Sequence, residues 1–466
     1  MQIWTAEEAA KATGGKLHGS SDWAAFSISI DSRFTRKGDL FIALRGTKSD
    51  GHDYIREAFL KGASAVMAER LPNNFPESSP VLLVDDCITA LRKLAEYRRA
   101  ESEAKIIAVT GSVGKTSTKE MLNVAFSSLG ITHVSAGNNN NEIGVPLSIA
   151  KMPKDTEFGI FEVGMNHAGE ISPLSKLLKP HLAIITTIAE VHMEFFHNLE
   201  GIADAKAEIF DGLEKDAFAV INRDTEFFDK LSKIARKKGV KEIISFGEDF
   251  TSDIRLVDHN SSSSGSAVHC KAGFDEFSYN ISARGKHVAI NSLAVLAAVK
   301  ALGHNLHDAA ESLSSFTSQK GRGQILHSDI NGGKITIIDE SYNASPVAVR
   351  AALSNLGDIE CQGRRIAVIG DMLELGEKSQ AMHESLAPDI LHNGIDVVFT
   401  VGEMSKHLLR KLPDAKKGES FSTSSEAMNA LERFLKAGDV ILIKASNGIG
   451  LGKLVEELAR SKADAL

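Results

Sequence analysis

The residues best suited to chemistry lie in IIAVTGSVGKTSTKEM, residues 106–121. An apolar run that reads as a strand gives way to a glycine-containing loop, and Lys115 and Thr116 open a helical pattern. Such a turn suits a nucleoside triphosphate. Gly111 and Gly114 let backbone N–H groups approach phosphate oxygens, with Ser112, Val113 and Ser117 completing the loop. The helix start favours anions, Lys115 can reach the β- and γ-phosphates, and Thr116 can ligate Mg²⁺. The general P-loop pattern has a glycine five residues before the Gly-Lys pair. Val109 stands there, so the fit is to the shorter TGSxGKT form.

Two further groups fall where strands should end. Glu162 follows the apolar start of FGIFEVGMNHAGEI, and His192 follows HLAIITTIAEVH. Open parallel sheets build their ligand crevices at such ends. A carboxylate and an imidazole there could complete the coordination of a nucleotide-bound divalent ion, the carboxylate being the usual choice for Mg²⁺. Singly, a strand-end Glu is more often a loop charge, and a lone His a structural hydrogen bonder.

The elements that must position these groups read as an α/β protein of three domains. A length of 466 residues exceeds one core. Residues 1–84 hold short strand-like stretches (FSISIDSR, GDLFIAL, SAVMAE, PVLLVDD) and the helix-like YIREAFLKGA, a small α+β domain. Residues 85–317 alternate strands and helices, which predicts a mainly parallel sheet with helices on both faces. The serine run at 260–266 interrupts that alternation and reads as a hairpin loop or flexible insert. Residues 318–466 form a second, Rossmann-like α/β unit with strands ITIIDE, RIAVIG, VVFTVG and DVILIKA. The GIGLG run near its end imitates a dinucleotide fingerprint, but too little chain follows for the usual second half, so it reads as a helix-start loop.

Composition narrows the function classes. A formal net charge of −8 argues against broad nucleic-acid binding, which needs clustered Lys and Arg. No apolar stretch approaches the ~20 residues of a membrane span, and the start carries acidic residues without an apolar signal core. Three scattered cysteines, Cys87, Cys270 and Cys361, suit a reducing compartment rather than a disulfide framework. A cytoplasmic monomer without membrane insertion is the expectation.

Together the runs DSRFTRKGDLFIALRGTKSDGHDYI, TGSVGKTSTKEM, GNNNNEIGVPLSIA, FEVGMNHAGEI, AEVHMEFF with ADAKAEIF, IDESYNASP and VIGDMLELGE resemble the Mur ligase family over essentially the whole chain. GDMLELGE and GDLFIAL…DGHDYI point to the member that adds a dipeptide, and no DNPR sequence of the diaminopimelate- or lysine-adding member is present. The resemblance implies an ATP-dependent ligase that joins D-alanyl-D-alanine to UDP-N-acetylmuramoyl-tripeptide in peptidoglycan precursor synthesis. The first domain would bind the UDP-linked substrate, the second ATP, and the third the ribose side of ATP and the incoming dipeptide.

The resemblance also implies residue roles. Lys115, Glu162, His192 and Lys206 would be catalytic, with Thr116, Glu162, His192 and a carbamylated Lys206 holding Mg²⁺. Lys206, in ADAKAEIF, would take up CO₂ through its neutral amine; sequence alone makes it a surface charge. Asn291 would lie on the adenine side, while Arg322 and Asp339 would reach ATP across the domain gap, Asp339 on the ribose, with Tyr342 and Asn343 beside them. Asn138 and Asn139 would face the muramoyl sugar, though an asparagine run is equally a polar turn. Ser32 and Arg33 would contact the uridine diphosphate, and Lys444 and Ser446 belong to the substrate-binding set of the last domain. Two positions depart from the family pattern: Val288 follows His287 where Asn is common, and Asn447 stands where Arg is frequent. Two alternatives share the phosphate loop. One is a relative adding a single amino acid to a muramoyl nucleotide or glutamate to a folate. The other is a P-loop switch or transport ATPase, against which no LSGGQ-like signature appears.

Overall fold

The computed structural model describes all residues except 74, 263–264, 331 and 461–466. Three larger sheets organise it, beside a two-stranded ladder of Trp4–Thr5 with Ala24–Ala25. In the first, the strands Val81–Leu83, Ala65–Ala68, Asp39–Ile42 and Ser27–Ser29 run parallel in that order, and Lys16–His18 adds an antiparallel edge. Asp39–Ile42 and Ala65–Ala68 are buried along their whole length. That explains why they read as short apolar runs.

The helix Cys87–Glu101 leads into the second sheet, and Asp86 caps it by accepting the Thr89 N–H at 2.6 Å. Nine strands follow in spatial order Asp275–Ile281, Gly265–Ala272, Ile254–Ser262, Glu242–Gly247, Phe218–Asn222, Leu182–Ile185, Lys105–Thr110, Phe158–Glu162 and Thr132–Val134. From Thr132–Val134 to Ile254–Ser262 every pairing is parallel; the last two are antiparallel. The serine run is therefore the end of a hairpin, its residues 263 and 264 lying outside the described ones. Apolar clusters fill both faces: Ile107, Val109, Phe126 and Leu293 on one side, Ile106, Ala108, Phe161 and Ile202 on the other. The third sheet is six-stranded, parallel apart from the hairpin of Gln324–Ile330 with Gly333–Glu340.

Adjacent arginines on Cys87–Glu101 tie the N-terminal segment to the second domain. The Arg98 guanidinium donates to the Ile3 carbonyl and sits 4.4 Å from the Trp4 ring centre. The Arg99 guanidinium donates to the carbonyls of Leu178 at 2.6 Å and Lys179 at 2.8 Å. Trp4 Nε1 donates to the Ala150 carbonyl at 2.8 Å, and Leu147 and Ala150 share an apolar cluster with Trp4, Leu91 and Leu94. Among the described residues no helix is long and apolar enough to cross a membrane.

Candidate active site

The phosphate loop forms because strand Lys105–Thr110 is central and its C-terminal end opens between neighbours. Gly111 has φ 152°, and a Cβ there would lie 1.9 Å from Thr186 Oγ1; Gly114 has φ 85°, with Asn291 only 2.8 Å from where a Cβ would be. Both positions need glycine. Thr186 Oγ1 donates to the Val113 carbonyl at 2.6 Å, Ser112 N–H to the Thr187 carbonyl at 2.8 Å, and the Ala189 N–H to Ser112 Oγ at 2.9 Å. The next strand thus braces the loop. The helix Lys115–Ser127 then starts without a side-chain cap, leaving its first N–H groups for a ligand.

Around the loop lies a cleft of ≈ 460 Å³ that draws on the second and third sheets. Ser112, Val113, Gly114, Lys115, Thr116 and Ser117 line one wall with Glu162, His192 and Asn291; Arg322, Tyr342, Asn343 and Lys444 line the other. Asn138 reaches the cleft as well. A smaller space of ≈ 220 Å³ adjoins it beside Lys115 and His192, walled by Leu373, Glu374, Ser446 and Asn447.

Glu162 is almost fully buried at the mouth of its strand. Thr116 Oγ1 donates to its Oε2 at 2.8 Å, and Asn140 Nδ2 donates to its Oε1 at 2.8 Å. This oxygen pair, Thr116 and Glu162, suits Mg²⁺, which takes one or two carboxylates and fills the rest of its octahedron with water and phosphate. Among the described residues no group of three or more His, Cys, Asp or Glu side chains is placed to form an all-protein cage. Lys115 Nζ donates to the Gly111 carbonyl at 2.8 Å. Burial lowers its pKa below the ordinary lysine value; Glu162 opposes the shift and Arg322 adds to it.

Lys206 is not a surface charge. It is 1% exposed, its side chain makes no hydrogen bond or ion pair among the described residues, and burial together with Lys115 holds its pKa well below the ordinary value. A neutral amine is the form that reacts with CO₂. His192 Nδ1 lies 2.5 Å from Glu374 Oε2, joining the second and third domains. Burial lowers the His192 pKa, Glu374 opposes the shift, and Lys115 and Lys206 reinforce it. His192 (φ 55°) and Glu374 (φ 63°) both hold left-handed backbone, costing a non-glycine residue about 1–2 kcal/mol. Such strain concentrates where geometry serves function.

Arg322 sits 4.1 Å from the Tyr342 ring centre, giving the far wall a flat cationic surface. Lys444, 2% exposed, donates to Glu340 Oε2 at 3.1 Å and the Asn343 carbonyl at 2.9 Å. Asp339 differs from expectation. Its carboxylate is fully buried and absent from the cleft wall, because it accepts the Gly321 N–H (2.8 Å), the Ser341 N–H (3.1 Å) and the Ser341 hydroxyl (2.6 Å). These bonds organise the loop carrying Arg322. Asn139 also stays out of the cleft wall, its place taken by Asn140. Ser32 donates to Glu57 and Arg33 pairs with Asp31, both in the first domain and neither in the cleft. Ser446 accepts the Leu373 N–H at 3.0 Å and lines the smaller space. Sequence reading also missed Glu340, Glu374 and Asn222, whose amide donates to the Thr186 carbonyl at 2.9 Å. A polar residue closing the apolar run FAVIN was the available signal for Asn222.

Residues 26–99 match the model described as Mur ligase family, catalytic domain, residues 109–299 the Mur ligase middle domain, and residues 321–447 the Mur ligase, glutamate ligase domain. The UDP-N-acetylmuramoyl-tripeptide–D-alanyl-D-alanine ligase of Rickettsia prowazekii is 38% identical over 97% of this chain and 99% of that protein. Its counterpart in Bacillus subtilis is 34% identical over 93% of each. A crystal structure of MurF from Acinetobacter baumannii superposes with a TM-score of 0.84 at 30% identity, covering 98% of this chain and 99% of that one. MurF ligase from Thermotoga maritima in complex with ADP gives 0.76 at 29% identity, covering 93% and 96%. With its domain models matched in chain order and these likenesses running nearly end to end, the chain belongs to the Mur ligase family.

Proposed function

We propose that this chain joins D-alanyl-D-alanine to UDP-N-acetylmuramoyl-tripeptide at the expense of ATP, in peptidoglycan precursor synthesis in the cytoplasm. The observation that carries this reading is the cleft in which Lys115 and the Thr116–Glu162 pair face Arg322 and Lys444 across two domains. Three cationic groups, Lys115, Arg322 and Lys444, surround space for a polyanion.

The tripeptide carboxylate attacks the γ-phosphate, giving an acyl phosphate and ADP. The dipeptide amine then attacks the acyl carbon, and phosphate leaves the tetrahedral intermediate. The first step brings anions together. Lys115 releases the Gly111 carbonyl and moves to the phosphates, offsetting that repulsion, while Arg322 acts from the opposite wall. Bound Mg²⁺, held by Thr116 and Glu162 with help from His192, would neutralise phosphate oxygens. Lys206, as its carbamate, would bring a carboxylate to the buried side of Lys115 and His192. Asn291 would take the adenine side and Tyr342 and Asn343 the nucleotide's other face. Asn138, Ser32 and Arg33 would follow the UDP-sugar, and Ser446 the dipeptide. Reacting atoms must approach to about 3 Å. The His192–Glu374 bond is placed to keep the domains together and water out while the acyl phosphate exists. A peptide α-amine has a reference pKa of ~8, so part of it is already neutral near pH 8 and no side chain is assigned as its base.

The test is phosphate release with ATP, Mg²⁺ and UDP-muramoyl tripeptide, with and without D-alanyl-D-alanine and with single amino acids in its place. Release and a new amide are expected with the dipeptide. Turnover with a single amino acid instead would point to another member of the family. Steady release without any acceptor would favour a switch ATPase, and no ATP consumption at all would end the ligase reading.

A further inference from the structure

Lys119 lies one turn beyond Lys115 on the same helix and is fully buried. Its ammonium donates to the carbonyls of Ser135 at 2.7 Å and Gly137 at 2.9 Å, and pairs with Glu120 at 2.8 Å. An ammonium has three donors, so all are engaged and none is left for a ligand. The two carbonyls belong to the segment that leaves strand Thr132–Val134 and carries the asparagine run into the cleft.

A second set of bonds ties the same segment from its other end. Asn140 donates to Glu162, whose other oxygen accepts Thr116 of the phosphate-loop helix, and the Gly164 N–H donates to the Asn140 carbonyl at 2.8 Å. The Glu162 N–H donates to Ser135 Oγ at 3.2 Å. A closed circuit results: helix, Lys119, residues 135–140, Glu162, Thr116 and back to the helix. Asn138 rides on it, exposed between the two anchors.

We propose that Lys119 is a positioning residue that sets the asparagine loop, and with it Asn138, against the nucleotide-linked sugar, in register with the helix bearing the phosphate loop. This rests on the reading that Asn138 faces that sugar. Lys119 touches neither substrate, so its removal shifts the loop and leaves Lys115 and Thr116 in place. Misplacement of about 1 Å costs on the order of a hundredfold in such sites.

The test compares Lys119→Met, Gly137→Val and Asn138→Ala by KM for UDP-muramoyl tripeptide, KM for ATP, kcat and thermal midpoint. Lys119→Met is expected to raise KM for the nucleotide-peptide at least about tenfold, with KM for ATP unchanged. Because emptying a buried site can impair folding, Gly137→Val is the decisive partner. Gly137 has φ 55° and a Cβ there would meet nothing within 4 Å, so a β-branched residue perturbs the backbone that presents the Gly137 carbonyl without crowding the core. It should show the same split with a folded protein. If folded Gly137→Val keeps the wild-type KM for the nucleotide-peptide while Asn138→Ala raises it, the positioning role is wrong and the sugar-side reading stands. If Asn138→Ala leaves that KM at its wild-type value, the sugar-side reading falls and the proposal with it.

Discussion

Replacing Asp339 by Asn separates two accounts of this carboxylate, since the change keeps its size. One oxygen accepts Gly321 N–H, the other accepts both Ser341 N–H and its hydroxyl, at zero exposure. The Ser341 hydroxyl can turn to accept from the new amide. The two backbone N–H groups cannot, so whichever way the amide faces, one of them loses its acceptor. An unsatisfied buried donor costs about 1–3 kcal/mol. At about 2–4 °C per kcal/mol for a domain of this order, the thermal midpoint should fall by roughly 2–12 °C. Calorimetry or denaturant unfolding reads the loss. KM should rise by one common factor for ATP and for 2′-deoxy-ATP, because the disturbed element is the loop carrying Arg322. A variant as stable as the parent that loses only its discrimination between ATP and 2′-deoxy-ATP would refute this account and restore a direct ribose contact.

Lys115→Ala should abolish ADP formation in a coupled assay while circular dichroism reports a folded chain; retained turnover would remove the phosphate-loop assignment. Lys206→Ala should be nearly inactive yet partly rescued by short carboxylic acids, and a complete lack of rescue would count against the carbamate. Acid should destabilise the protein through His133 and His181, both pushed down to about 4 mainly by burial from an ordinary value of 6.5. With depressed folded-state values, their contribution is complete above about 6.5 and is lost as pH falls toward 4. Denaturant midpoints of His181→Asn between pH 7 and 4 should therefore fall less steeply than those of the parent, and equal slopes would contradict the burial argument.

What the sequence made legible was local. The phosphate loop, its helix and the alternation of the second domain follow from short-range patterning, and the run CITALRKLAEYRRAE coincides with helix Cys87–Glu101. The sequence gives no comparable sign of strand Lys417–Phe421, because KGESF is a polar edge with few apolar residues. QAMHESLAPDILHNG has the apolar spacing of a single helix, yet two short helices, Ser379–Glu384 and Ala387–His392, meet near Pro388. Asp339 and Glu162 are both acidic strand-end residues, and sequence offers no way to tell which faces a cleft and which is enclosed by N–H groups from other loops. Glu374 and Lys444 enter from distant segments, so their partnership with His192 and Asn343 emerges only from the tertiary arrangement.

The Arg98–Arg99 pair has a bearing on which peptides can be extended. By gripping backbone carbonyls at Ile3 and at Leu178 and Lys179 from one helix, it ties the N-terminal segment to the second domain. If the proposed function holds, a precursor anchored by its nucleotide in the first domain would present its acid terminus at a distance set by its own residue count. A chain one residue short would then stop before the γ-phosphate and a longer one would overshoot, so the joint would act as a caliper, selecting substrate by reach as well as by side chain.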